Sequence, residues 1–193
     1  MPVSLYCVDI RPLRLEAMPA RGRAAAHDCA LRLLEYAVKR EFGVAMPEIR
    51  LMEGGKPFFA GRDDIHFSYS HTRSHILCAV SSSPVGADIE THRDVSDALV
   101  SRVMSTEERR EFDFFQIWTL RESLYKLYGA GNLLSGEFRR SGDTIISSVP
   151  GVRCRVYDLV PGCTAAAASE GAELPDEVIF VPTEEIFPGL QQI

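Results

Sequence analysis

An amphipathic helix followed by a run of short strands occurs twice along this 193-residue chain, which predicts an α+β fold. Two similar halves, each a helix packed on an antiparallel sheet, would leave a ligand cleft between them. Composition agrees: 46% apolar residues with 25% charged is ordinary for a globular domain with a real core. A break in texture between Asp94 and Ser101 divides the chain into residues 1–97 and 98–193. No residue-level repeat accompanies the repeated element order, so the similarity lies in pattern alone.

The first helix is the segment RAAAHDCALRLLEYAVKREFG, with Leu31, Leu34, Tyr36, Val38 and Phe42 among its apolar positions and Gly43 as its stop. Short β-like runs follow, IRLME, IHFSYS, HILCAVSS and VGADIE, punctuated by GGKP, SHTRS and SSPVG. The segment STEERREFDFFQIWTLRESLYKLYG reads as one second helix, capped by Ser105 or Thr106 and closed by Gly129. EFRRSGDTIISS then predicts a hairpin turning at Gly142 and Asp143, and VRCRVYDLV, CTAAAAS and EVIFVP predict further strands.

Several functional classes drop out. The first residues lack the basic flank and apolar centre of a signal peptide, and no apolar run has membrane-spanning length, so a cytoplasmic protein without membrane contact is expected. Five scattered cysteines without a CxxC pair argue against a disulfide framework or a zinc site. A net charge of -6 argues against a nucleic-acid partner. Charge is uneven, however. Residues 1–50 hold eight basic residues against six acids, and residues 151–193 hold seven acids against two arginines, so an anionic ligand would favour the front half.

Three segments carry chemistry. In VGADIE, strand alternation sends Val85, Ala87 and Ile89 one way and Gly86, Asp88 and Glu90 the other, so two acids share a face. A strand with one wet face gives the same pattern, but the glycine suggests room for a ligand beside the acids. On the second helix, at about 100° per residue, Ile117, Leu120, Leu124, Leu127 and Tyr128 form a core stripe. Trp118, Glu122, Tyr125 and Lys126 form another, and Gln116, Thr119 and Ser123 are left for solvent. Glu122 and Lys126 could be a plain i,i+4 ion pair, yet their aromatic neighbours favour a site. Asp88, Glu90 and Glu122 together supply the oxygen ligands that Mg²⁺ takes when it also holds a phosphate. In GGKPFF, Lys56 offers a point charge behind a turn fixed by Pro57. In FSYSHTRSH, Ser70 and His71 are adjacent and point apart on an extended chain, which disfavours a hydrolase dyad and suits a phosphate-contacting histidine.

Taken in order, GKP, FSYSH, VGADIE and WTLRESLYKLYGAGNL resemble the motif series of the 4'-phosphopantetheinyl transferase superfamily, in its monomeric surfactin-type group. The resemblance covers Gly55 to Leu133 directly. It implies two halves related by a pseudo-twofold, with coenzyme A and Mg²⁺ between them. The implied reaction transfers the phosphopantetheine arm of coenzyme A to a serine of an apo acyl or peptidyl carrier protein, releasing 3',5'-ADP. By matching position, Asp88, Glu90 and Glu122 would hold the metal and Glu122 would serve as base. Lys126 would neutralise the pyrophosphate. Lys56 and Pro57 would line the adenine and phosphate end, and Ser70 and His71 would hold phosphate. The pattern is broken at Ser68, where the family has Asn, and by Asn132, inserted before Leu133. It is broken again at the alanines 24–26, whose phosphate-binding role Arg21 or Arg23 would take over. A degenerate module that binds coenzyme A or carrier without transfer, and a Mg²⁺-dependent phosphoesterase, are the alternatives.

Overall fold

The computed structural model describes residues 1–14, 22–131, 133–134 and 136–188, with the side chains of residues 22–24 excepted. Eleven strands and five α-helices are assigned among them. The strands are β1 (Ser4–Asp9), β2 (Ile49–Leu51), β3 (Pro57–Phe59), β4 (His66–His71), β5 (His75–Ser81), β6 (Val85–Thr91), β7 (Phe138–Ser141), β8 (Thr144–Ser147), β9 (Val152–Val160), β10 (Cys163–Glu170) and β11 (Ile179–Phe180). The helices are α1 (Gly22–Phe42), α2 (Asp97–Val103), α3 (Glu108–Glu111), α4 (Phe114–Tyr128) and α5 (Thr183–Ile186). The α+β class expected from element order is the one observed.

Two sheets stack between two helices. The first has the order β11-β1-β5-β4, the second β6-β10-β9-β8-β7, and β2 with β3 forms a separate ribbon. Alternation within the strands builds the layers. Tyr6 and Val8 of β1 and Ile76, Cys78 and Val80 of β5 pack with Leu33, Leu34, Ala37 and Val38 of α1. The opposite faces of those strands, with Leu5, Cys7, Leu77 and Ala79, meet Val85, Ala87 and Ile89 of β6 and Ala165 and Ala167 of β10. On the far side of the second sheet, Ala166, Ala168 and Cys154 receive Ile117, Leu120, Leu124 and Leu127 of α4. The alanine run of β10 is fully buried, and small side chains there let both layers approach closely.

Hydrogen bonding crosses the chain-order division at residue 97. Strand β6 leaves the first sheet behind and pairs antiparallel with β10, while β11 returns to pair parallel with β1. Strand β1 and ribbon strand β3 are not marked in the sequence reading: β1 is a nearly unbroken apolar run at the chain start, and β3 begins with a proline.

The second helix differs from its expected form. It is two helices, because Asp113 starts α4 afresh with a reciprocal capping box: its side chain accepts from the Gln116 N–H, and Gln116 accepts from the Asp113 N–H. Phe112 between them is extended. Ser105 does act at the amino end of α3, accepting from the Glu108 N–H at 3.1 Å. Thr119 and Ser123, expected in solvent, are fully buried, and Tyr128, expected in the core, is 44% exposed. Both buried hydroxyls donate to carbonyls, Thr119 to Phe115 at 2.8 Å and Ser123 to Ala166 at 2.9 Å. Satisfied in this way, they lie against the sheet at little cost.

Candidate active site

Asp88 sits where β6, β4 and α4 converge. Its Oδ1 accepts a hydrogen bond from the Ser70 hydroxyl at 2.7 Å and another from the Lys126 ammonium at 2.6 Å. Its Oδ2 is buried and has no hydrogen-bond partner among the described residues. A half-satisfied buried carboxylate is costly unless something else binds it. Glu122, one turn before Lys126 on the same helix, feels both groups. Burial raises its carboxyl above the usual range, the Asp88 charge raises it further, Lys126 pulls it back in part, and Glu90 adds to the rise. Two carboxylates and one ammonium thus share a small volume, and the protein leaves one acid short of a counter-charge.

Gly86 has a different role from the one the sequence suggested. A side-chain carbon there would lie 2.0 Å from the Ser123 carbonyl oxygen and 2.5 Å from the Leu127 nitrogen. It is therefore the point at which α4 rests on β6, not free room beside the acids. That close approach brings Glu122 and Lys126 down to Asp88.

Glu90 continues the same face of β6, but its carboxylate is engaged by the Arg93 guanidinium at 2.8 Å. The described residues contain no ready-made metal site of three or more His, Cys, Asp or Glu side chains. Lys126 takes one oxygen of Asp88, and Arg93 takes Glu90. The donors nevertheless suit a hard divalent cation, since the unpartnered Asp88 Oδ2 and the Glu122 carboxyl supply oxygen only.

A groove beside the acids is lined by Gly54, Lys56, Pro57, Tyr69, Tyr125 and Lys126, among others. Lys56 reaches this groove, but its ammonium donates to the Leu127 carbonyl near the end of α4. Burial lowers its pKa to about 8. It docks the GGKP turn on the helix end, where a side-chain carbon on Gly129 would sit 2.4 Å from the Lys56 Cβ. His71 is exposed at the end of β4 and is held below the ordinary imidazole range, first by lost hydration, then by the Lys126 charge. His27 of α1 also acts on it and lies 5.8 Å from the Tyr69 ring. Sequence reasoning missed His27 because it reads as one polar position near the start of a helix. Arg21 lies outside the described residues, and Arg23 is described in backbone only.

A carboxylate pair and a lysine, carried by an edge strand and the helix packed on it beside this groove, are an arrangement suited to enzymes that handle phosphate esters. Residues 84–150, which contain β6, α4 and the β7–β8 hairpin, match the model of the 4'-phosphopantetheinyl transferase superfamily. Over these residues the chain is similar to that superfamily. It is similar to the 4'-phosphopantetheinyl transferase Sfp of Bacillus subtilis (strain 168), 26% identical over 174 residues that cover 80% of this chain and 78% of that protein. It is also similar to the 4'-phosphopantetheinyl transferase psf-1 of Bacillus pumilus, 31% identical over 111 residues, 51% of this chain and 48% of the relative. Against the 4'-phosphopantetheinyl transferase gsp of Aneurinibacillus migulanus, identity is 34% over 92 residues, 42% of this chain and 38% of that one. The chain thus spans most of the first relative and half or less of the other two. The surfactin-type likeness drawn from the motifs agrees with these relatives. No described helix is long and apolar enough to cross a membrane.

Proposed function

We propose that this protein transfers the 4'-phosphopantetheine arm of coenzyme A to a serine of an apo acyl or peptidyl carrier protein, releasing 3',5'-ADP, with Mg²⁺ bound. The observation that carries the reading is Asp88, buried with one oxygen on Lys126 and Ser70 and the other unpartnered, beside a Glu122 of raised pKa. The carrier serine oxygen bonds to the phosphorus that bears pantetheine, the bond from that phosphorus to the oxygen of the 3',5'-ADP portion breaks, and the serine proton leaves to a base.

Glu122 is the group suited to take that proton, directly or through water, because a raised carboxyl is a stronger base than an ordinary one. Lys126 can turn from Asp88 towards the departing diphosphate oxygen and neutralise its growing charge. Asp88 and Glu122, joined by Glu90 once Arg93 releases it, would hold the Mg²⁺. When bound, the ion supplies charge neutralisation on the diphosphate. Ser70, His71, Lys56, Pro57, Arg21 and Arg23 are the residues we assign to the coenzyme, with His71 on the 3'-phosphate. Lys56 acts there through the turn it anchors more than through its charge. In the same reading, residues 1–97 and 98–193 are two halves related by a pseudo-twofold, forming a cytoplasmic monomer with the coenzyme between them.

The test is transfer itself. The purified protein, given coenzyme A and Mg²⁺, should add one phosphopantetheine mass to at least one of a panel of apo acyl and peptidyl carriers. No mass gain across the panel would overturn the proposal. Coenzyme A binding without transfer would mark a binding module, and release of phosphate from coenzyme A without carrier would mark a phosphoesterase.

A further inference from the structure

Strand β4 ends the first sheet and β6 ends the second, so two sheet edges meet beside Asp88. An edge strand presents bare N–H and C=O groups, and buried ones need partners. At this junction the partner is a side chain. The Ser68 hydroxyl, 5% exposed, accepts from the Ala87 N–H at 3.0 Å and lies 3.5 Å from the Ala87 carbonyl oxygen to which it donates. One hydroxyl, with one donor and two acceptor sites, replaces a rung of main-chain ladder. Ser70, two residues on and so on the same face of β4, makes the next contact, to Asp88 Oδ1 at 2.7 Å. Phe67 points the other way, into the core under α1, and Tyr69 packs against the edge of that core where it also borders the groove.

From this juxtaposition we infer that Ser68 is a positioning residue for Asp88. It fixes the main chain one residue before the carboxylate and thereby sets how deeply Asp88 enters the site. The sequence alone suggests that Ser68 is a shortened ligand arm where the family carries Asn. The structure gives its hydroxyl two main-chain partners, both on Ala87, at the edge of the groove that Ser68 helps to line. The serine joins the two edges directly, through one hydroxyl.

The kinetic part of this inference rests on the transferase reading, whereas the main-chain part does not, and the experiment separates them. Ser68→Ala and Ser68→Thr are compared by amide hydrogen exchange at Ala87, by thermal midpoint, and by kcat and KM for coenzyme A. Losing the hydroxyl should speed exchange of the Ala87 amide by about tenfold or more. It should lower kcat by about tenfold while KM stays within about twofold, since a misplaced catalytic group costs turnover rather than binding. Thr, which keeps the hydroxyl, should restore both. Unchanged Ala87 exchange in Ser68→Ala, a loss confined to KM, or failure of Thr to rescue would each overturn the inference. If Ser68→Ala does not fold, Ser68→Cys, nearly the same size with a weak hydrogen-bonding group, is read against the same numbers. If the wild type modifies no carrier, the transferase reading falls, and Ala87 exchange alone decides whether the stitch exists.

Discussion

Arg121 and Lys126 stand on the same helix, and each meets a carboxylate from another element, yet the two ion pairs are completed to different degrees. The Arg121–Glu108 pair is closed: side-chain exposures are 6% and 1%, and both carboxylate oxygens receive the guanidinium at 2.9 Å. The guanidinium also donates to the Leu134 carbonyl at 2.7 Å and to that of Gly136. Glu108 accepts further from the Ser105 and Phe138 N–H groups. The Lys126–Asp88 pair is 26% and 6% exposed, with one contact at 2.6 Å and one carboxylate oxygen left over. The first pair engages both carboxylate oxygens and ties the loop after α4 to α3. The second leaves one carboxylate oxygen over, which under the proposed function is where a ligand binds.

The largest expected effect falls on the closed pair. Arg121→Ala leaves Glu108 buried without its counter-charge, which should cost about 3–5 kcal/mol of stability, measured as a shift in denaturant midpoint. A loss under about 1 kcal/mol would mean that the network is no more than an ordinary surface pair. The open pair should behave in the opposite way. Asp88→Asn keeps the volume, relieves a half-satisfied buried charge and leaves a partly exposed Lys126 that water can reach, so it should cost clearly less stability than Arg121→Ala, whereas transfer should fall by about 10²- to 10³-fold. A variant that loses stability and activity together would erase the distinction between the two pairs.

Glu122 sharpens the comparison through pH. Its folded pKa lies above the unfolded one, so the stability carried by its proton is full below the ordinary carboxyl range and is lost as pH rises through the raised value. Transfer should run the other way, rising with pH through that same value as the base loses its proton. Glu122→Gln should therefore melt higher than wild type at pH 8, by less than about 1 kcal/mol because the half-buried group is screened. For a chain of this size that is up to about 2–4 °C. The difference should vanish towards pH 4, and transfer should be severely reduced. Melting lower than wild type at pH 8 would show that Glu122 is held by Lys126 as a structural pair.

The sequence carries the local periodicities, and with them α1, β4 to β6, the β7–β8 hairpin, β9 and β10. It also shows that Asp88 and Glu90 share a face and that Glu122 and Lys126 share a stripe. What it cannot show is which edges meet. That β6 abandons its chain neighbour β5 for β10, bringing Asp88 under α4, depends on contacts between residues some 75 positions apart. The burial of Ser123 depends on an acceptor on β10 and the role of Gly86 on a helix backbone, neither of which a window of sequence contains, whereas the hydroxyl of Thr119 is satisfied within its own helix. Arg121 belongs to none of the stripes read from sequence, because its partner Glu108 lies on a separate helix that the continuous pattern conceals. Arg93 is hidden for a similar reason: three residues past Glu90 in an apparent loop, it looks like solvent charge.

The smallest effect concerns that arginine. Its guanidinium holds Glu90 at 2.8 Å and lies 5.8 Å from the centre of the Phe115 ring, which itself stacks on His92 at 4.7 Å. Arg93 thus competes with any cation for the third carboxylate, and the aromatic platform keeps the competitor in place. The pair is substantially exposed, 54% and 28%, so it is worth only about 0.2–1 kcal/mol. Arg93→Ala should therefore tighten Mn²⁺ binding by about 1.5- to 5-fold, read by titration without coenzyme A or carrier. Arg93→Lys, which keeps the charge but stacks less well and has no planar fork, should fall between the two. Salt should narrow the gap between wild type and Arg93→Ala, because screening weakens an exposed competitor most. Weaker Mn²⁺ binding by Arg93→Ala would mean that Arg93 orients Glu90 for the metal, and the open pair would then have a support of its own.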